Sequence, residues 1–79
     1  MVDAIVLAKV DGGKDKEVLE CVKGINGVDR VWATYGVYDL AILVYFQSVE
    51  ALDKFIFHEL RTIPSVRETL TLICSSFVA

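Results

Sequence analysis

Lys23-Gly24-Ile25-Asn26-Gly27-Val28 returns as Arg61-Thr62-Ile63-Pro64-Ser65-Val66, 38 residues later. The offset holds upstream, where Val18, Leu19 and Val22 map onto Ile56, Phe57 and Leu60. Ala4-Ile5-Val6-Leu7 is answered by Ala41-Ile42-Leu43-Val44 at almost the same offset. Self-similarity at a fixed spacing is an architectural signature. It makes the chain two copies of strand, helix, short loop and strand before any motif is considered.

A chain of 79 residues has room for one domain, spanning residues 1–79, and a core of that size is modest. Yet 54% of its residues are hydrophobic, above the ~45–50% usual for soluble domains. Burial between subunits is the simplest outlet for the excess. No apolar run reaches the ~18 residues of a membrane span, since Lys9 and Asp11 interrupt the first strand early. Met1 is not followed by a basic segment, an apolar stretch and a cleavage site, so no signal peptide is read. A cytoplasmic protein is expected.

The net charge is −3 and the basic residues are scattered. Direct DNA or RNA binding leans on phosphate neutralisation and is disfavoured by that balance. Cys21 and Cys74 have no metal-ligand spacing. They are expected as small buried hydrophobes, unbridged in a reducing compartment. Neither a cofactor nor a metal is implied.

Residues Ala4 to Val10 are β-rich and nearly all apolar, as in a central strand buried on both faces. Asp11-Gly12-Gly13 is a turn, with Asp11 placed to bond backbone donors at the coming helix start. From Lys14 the period changes, and Val18, Cys21, Val22 and Ile25 form one helical stripe. Gly24 suits a left-handed helix end. Val28 to Tyr35 and Asp39 to Phe46 read as strands joined by a hairpin at Gly36. Ser48 is a good N-cap for a second helix running to about Leu60, with Val49, Leu52, Phe55, Ile56 and Leu60 as its stripe. Val66 to about Cys74 is the last strand.

The order is βαββαβ. Right-handed crossovers turn it into an α+β, ferredoxin-like fold, a four-stranded antiparallel sheet with both helices on one face. The other face stays uncovered. Trp32, Tyr35, Tyr45 and the Ile/Leu/Val series cannot all fit under two short helices, so the bare face implies a partner surface. A symmetric homodimer, sheet against sheet, is the simplest solution.

Taken in order, Val28-Asp29-Arg30-Val31, Gly36-Val37-Tyr38-Asp39-Leu40, Ile63-Pro64-Ser65-Val66 and Thr69-Leu70-Thr71-Leu72 resemble a known family. They are similar to the regulation-of-amino-acid-metabolism (RAM) domain of the Lrp/AsnC, or feast/famine, transcription regulators. The family's Gly-x-Tyr-Asp, Ile-Pro-Gly-Val and Thr-x-Thr signatures fall at matching places, and the likeness covers essentially the whole chain. Ser65 departs from the family's glycine. So does the start, because members usually carry a winged helix-turn-helix DNA-binding domain before this module, and here the first strand follows Met1 within a few residues. The resemblance therefore implies a stand-alone RAM module without a DNA-binding domain.

It also implies dimers of the dimeric α+β barrel type, commonly assembled into octamers, that bind a free amino acid between dimers and can associate with full-length regulators. Carried over by position, the ligand-binding candidates are Gly36, Tyr38, Asp39, Thr69 and Thr71. Gly36 lets a ligand approach the backbone, and N–H groups near it can receive a carboxylate. Asp39 can pair with an α-ammonium group. Thr69 and Thr71 share one side of a strand, and Tyr38 offers an aromatic wall with a polar tip. The plainer readings stand beside these: Gly36 turning a hairpin, Asp39 capping turn backbone, the threonines as strand formers and Tyr38 as a dimer contact.

His58 and Trp32 invite a different reading, because the same dimeric fold occurs in cofactor-free monooxygenases. A small enzyme of that kind needs an interior pocket lined by His58 or Trp32. His58 has no orienting partner in the sequence and suits an exposed helix position. Trp32 suits sheet-face packing or an interface anchor. An amino-acid-binding domain of ACT type would instead use the Asp11-Gly12-Gly13 loop. The sequence contains no Ser/His/Asp or Cys/His arrangement and no phosphate loop, so a non-enzymatic effector-binding module is the favoured expectation.

Overall fold

The structure is a computed structural model and describes residues 1–75. Its elements are β1 (Val2–Val10), α1 (Asp15–Val22), β2 (Val28–Ala33), β3 (Leu40–Phe46), α2 (Val49–Phe55) with a π-helical turn at Ile56–Leu60, and β4 (Val66–Ile73). The sheet order is β2-β3-β1-β4, with every neighbouring pair antiparallel. This is the ferredoxin-like arrangement that the repeat implies.

Side chains alternate along a strand, so the core can be read by parity. Ala4, Val6, Ala8 and Val10 of β1 and Leu40, Ile42 and Val44 of β3 are buried beneath the helices. From above, α1 supplies Val18 and Val22, and α2 with its wide turn supplies Leu52, Phe55, Ile56 and Leu60. Phe55 meets Phe46 with ring centroids 5.3 Å apart and planes tilted by 34°. The π-helical turn closes with the Arg61 N–H donating to the Ile56 carbonyl at 2.9 Å. It carries the second helix to Leu60, where the sequence places its end.

Several local expectations need correction. Asp11 does not cap α1: its carboxylate takes the Arg67 guanidinium at 2.9 Å, and the first helical turn has no side-chain cap. Gly24 does not adopt a left-handed conformation. The helix ends instead at Lys23 in a right-handed conformation, and the positive φ falls at Gly27 (φ +97°), just before β2, where a Cβ would run into the Phe46 ring. Cys21 and Cys74 are exposed rather than buried. The α1 stripe runs through Val18, Val22, Leu19 and Ile25, and Cys21 falls just outside its arc. Val49 is likewise exposed, at the outer start of α2. Ser48 does cap α2, accepting from the Ala51 N–H at 3.1 Å.

The likeness of Ala4-Ile5-Val6-Leu7 to Ala41-Ile42-Leu43-Val44 is also not a structural equivalence. At that offset buried Ala4 and Val6 match Ala41 and Leu43, which point to the opposite face. A shift of one residue turns every side chain of a strand over. The helix-to-strand part of the repeat, at 38 residues, is the part that superposes in burial, with Val18 and Val22 answering Ile56 and Leu60.

Candidate ligand loop and open sheet face

Residues 34–39 join β2 to β3. The Thr34 N–H donates to the Asp39 carbonyl at 2.8 Å, and the Thr34 hydroxyl donates to the Tyr38 carbonyl at 2.7 Å. Gly36 sits at the tip with φ +109° and open space where a Cβ would stand. A residue with a side chain rarely takes that angle, so glycine is required for the turn itself. Among the described residues, no hydrogen bond engages the N–H groups of residues 35–38.

Asp39 ties this loop to the end of β1. Its N–H donates to the Ala8 carbonyl at 2.9 Å, and its Oδ2 accepts from the Val10 N–H at 2.9 Å. The β1–β4 register slips between Lys9 and Val10, while β3 begins only at Leu40, opposite Ala8. The Val10 N–H therefore lies past the ladder and needs an acceptor. A carboxylate supplies a strong one. The plain reading of Asp39, a side chain capping backbone, accounts for one of its two oxygens.

Beside it lies a cluster that the sequence did not single out. The Lys9 ammonium stands 5.5 Å from the Tyr38 ring centroid and 3.7 Å from Glu68. Lys9, the one charged residue between Ala4 and Val10, was the available signal. Thr34, whose hydroxyl holds the loop closed, left no signal beyond preceding a turn.

Thr69 and Thr71 do share a side, as their spacing requires. They pair with Ala8 and Val6 and so lie on the helix-covered side, half-buried, on the edge strand. Gly36, Tyr38 and Asp39 are brought together at the hairpin. The threonines stand on the far side of β1 from β3, about 10 Å away across two strand spacings.

The other face of the sheet is bare. One row across it reads Arg30, Leu43, Ile5, Leu72, and the next reads Trp32, Ala41, Leu7, Leu70, as the cross-strand pairs dictate. Tyr45 and Asp3 pair at one end, and Lys9 and Glu68 at the other. Trp32, Tyr45, Leu70 and Leu72 are all exposed.

The residues of the enzymatic reading do not converge. Trp32 lies on the bare face and His58 in the exposed π-helical turn on the helix layer. His58 borders an open depression on the outer surface of α2, with Glu50, Ala51, Asp53, Lys54 and Phe57. Asp11, central to the ACT-type alternative, is engaged by Arg67. Among the described residues no group of His, Cys, Asp and Glu is arranged to hold a metal, and no helix is long and apolar enough to cross a membrane.

A family model described as the Lrp/AsnC ligand binding domain matches residues 3–79. The chain belongs to that family. An uncharacterized HTH-type transcriptional regulator of Pyrococcus furiosus is 29% identical over 73 residues, 92% of this chain and 49% of its own length. The chain thus spans about half the length of the curated relative it matches. A hypothetical protein from Pyrococcus horikoshii has a solved structure 32% identical in sequence with a TM-score of 0.90, covering 98% of this chain and 93% of its own. A solved protein from Thermus thermophilus is 28% identical with a TM-score of 0.95, covering 100% of this chain and 99% of its own. The family assignment makes this Lrp/AsnC domain a relative of regulatory ligand-binding modules. Its Gly36 hairpin, its threonine strand and its bare sheet are the parts to weigh for that role.

Proposed function

We propose that this Lrp/AsnC domain is an effector-binding and oligomerisation module that takes a free amino acid at a cleft between subunits. The observation that carries the reading is the bare apolar sheet ending at the Gly36 hairpin. A second copy laid on that face removes Trp32, Leu43, Ile5, Leu7, Leu70 and Leu72 from water, at about 25 cal/mol per Å² of apolar surface buried. It also brings protein up against the Tyr38–Lys9–Glu68 rim.

The rim suits a zwitterion. The N–H groups of residues 35–38 and the Lys9 ammonium attract a carboxylate. Oδ1 of Asp39, its Oδ2 being held by Val10, offers an acceptor for the α-ammonium group, and the Tyr38 ring packs against the side chain. Thr69 and Thr71 are too far away to join the same small ligand within one subunit. They serve a cleft completed by a neighbouring subunit, which is why ligand and assembly are coupled in this reading. By the same surfaces the module associates with longer regulators of its family.

Size-exclusion chromatography with light scattering, run with each of the twenty amino acids, tests the proposal. One amino acid is expected to shift the assembly state, and Asp39→Ala and Tyr38→Ala to abolish that shift while the dimer persists. A fixed assembly indifferent to all twenty sinks the effector reading. If the shift survives substitution of Gly36, Tyr38, Asp39, Thr69 and Thr71, the ligand lies elsewhere.

A further inference from the structure

Asp39 bonds the backbone on both sides of Lys9. Its N–H donates to the Ala8 carbonyl and its Oδ2 accepts from the Val10 N–H, each at 2.9 Å. On the other flank of Lys9 stands Glu68, its cross-strand partner in β4. This end of the bare sheet therefore carries a row of acid, base and acid, with the Tyr38 ring 5.5 Å from the central ammonium. We propose that the effector of this site is an amino acid with a cationic side chain, and that Glu68 selects it. The inference rests on the effector reading above and names the side chain which that reading leaves open.

A basic amino acid carries the opposite series of charges. Its α-ammonium group meets Oδ1 of Asp39. Its α-carboxylate meets Lys9 and the N–H groups of the hairpin, and its side-chain cation meets Glu68. Every contact joins opposite charges. Two acids against one base leave the row negative, and the extra positive charge of the ligand balances it. A neutral side chain leaves the Glu68 carboxylate uncovered as the cleft closes, which is costly. An acidic side chain sets a second carboxylate beside Glu68 and is repelled.

Glu68 is available for this contact. Its carboxylate lies 3.7 Å from the Lys9 ammonium, beyond hydrogen-bond length, and accepts no hydrogen bond among the described residues. Arg67, its neighbour in the chain, already has Asp11 at 2.9 Å. The spacing agrees as well. Asp39 and β4 flank β1 on opposite sides, so the two acids stand about 10 Å apart at the backbone. Their side chains narrow that gap to the span of an aliphatic stem with a cation at its end. The stem lies against the Tyr38 ring, as the methylenes of long basic side chains cover apolar surface elsewhere.

Isothermal titration calorimetry on the full chain tests the choice. The ligands are L-lysine, L-ornithine, L-arginine, L-glutamate and L-norleucine, the last keeping the stem of lysine without its charge. At least one basic amino acid is expected to bind about tenfold tighter than norleucine. Glu68→Gln erases that gap, and Glu68→Lys turns the preference toward glutamate. Light scattering checks that each variant assembles like the wild type, and the wild-type comparison stands even if a variant does not. Norleucine or glutamate binding the wild type as tightly as the basic amino acids overturns the cationic side chain and leaves the effector site standing. A gap that persists in Glu68→Gln overturns the role of Glu68. Wild-type chain that binds none of the twenty amino acids overturns the effector reading itself.

Discussion

In the first half of the chain α1 returns to the sheet through two bonds, Ile25 N–H to the Val22 carbonyl at 3.0 Å and Val28 N–H to the Ile25 carbonyl at 3.1 Å. In the second half, 38 residues on, Ile63 N–H bonds the Leu60 carbonyl at 3.2 Å and Val66 N–H bonds the Ile63 carbonyl at 3.0 Å. The residue before each strand then offers its carbonyl elsewhere: Gly27 to the Tyr45 N–H at 2.8 Å, Ser65 to the Asp11 N–H at 2.9 Å. The backbone solution is shared, but the side chains are not. Gly27 must be glycine because its φ is positive and Phe46 fills the space beside it. Ser65 has no positive φ and accommodates a side chain. The departure from the family's glycine at Ser65 therefore leaves the turn intact. Topology dictates where the backbone bonds go, and local packing dictates which residues can make them.

The halves also share the core unequally, and that inequality can be tested. Phe55 is fully buried, while its counterpart 38 residues earlier, Glu17, is exposed. Phe55→Ala is expected to cost about 3–5 kcal/mol in urea unfolding, and Glu17→Ala within about 0.5 kcal/mol. Equal effects would break the claim that Phe55 carries a share of the core that its counterpart Glu17 does not. The turns come next in size. Gly27→Ala forces a side chain into a left-handed conformation against Phe46 and is expected to cost about 2 kcal/mol or more. Ser65→Gly costs only about 0.5–1 kcal/mol through added freedom of the unfolded chain. Ser48→Ala removes the cap on α2 for about 1 kcal/mol, and hydrogen exchange should quicken in its first turn while uncapped α1 is unchanged.

The smallest effect belongs to the surface of α1. The Lys23 ammonium, 2.7 Å from the Glu20 carboxylate, holds that carboxyl below its usual range by a hydrogen bond and by its charge, and Lys16 adds to the lowering. A depressed carboxyl contributes stability above its unfolded pKa and loses it as pH falls through the folded value. Because the pair is exposed the contribution is slight. NMR titration should show Glu20 ionising below the usual glutamate range, and Lys23→Met should raise it toward that range.

The element order, the sheet topology and the bare face were legible because period-2 and period-3.6 patterns, with the 38-residue echo, leave one simple arrangement. Residues whose roles depend on distant neighbours were not legible. Gly24 and Gly27 look alike in sequence, and only the Phe46 ring from another strand separates them. Asp11 reads as a cap because Arg67, which engages it, is 56 positions away. Cys21 fits the apolar stripe by number but lies at its margin by angle. Gly36, Tyr38 and Asp39 were legible as one loop. The second role of Asp39, as acceptor for Val10, depends on a register slip that no local pattern announces. That Thr69 and Thr71 share a side is visible in their spacing. Which side they share is known only once β4 is seen paired with β1.

The alternation along β1 also has an evolutionary consequence. Ala4, Val6, Ala8 and Val10 are answerable to the helices, while Asp3, Ile5, Leu7 and Lys9 are answerable to whatever meets the open side. Two texts are interleaved letter by letter in one strand. Selection can rewrite the odd letters, and with them the choice of companion, while the even letters keep the subunit folded. A lineage of such domains can therefore diverge in whom they join long before they diverge in shape.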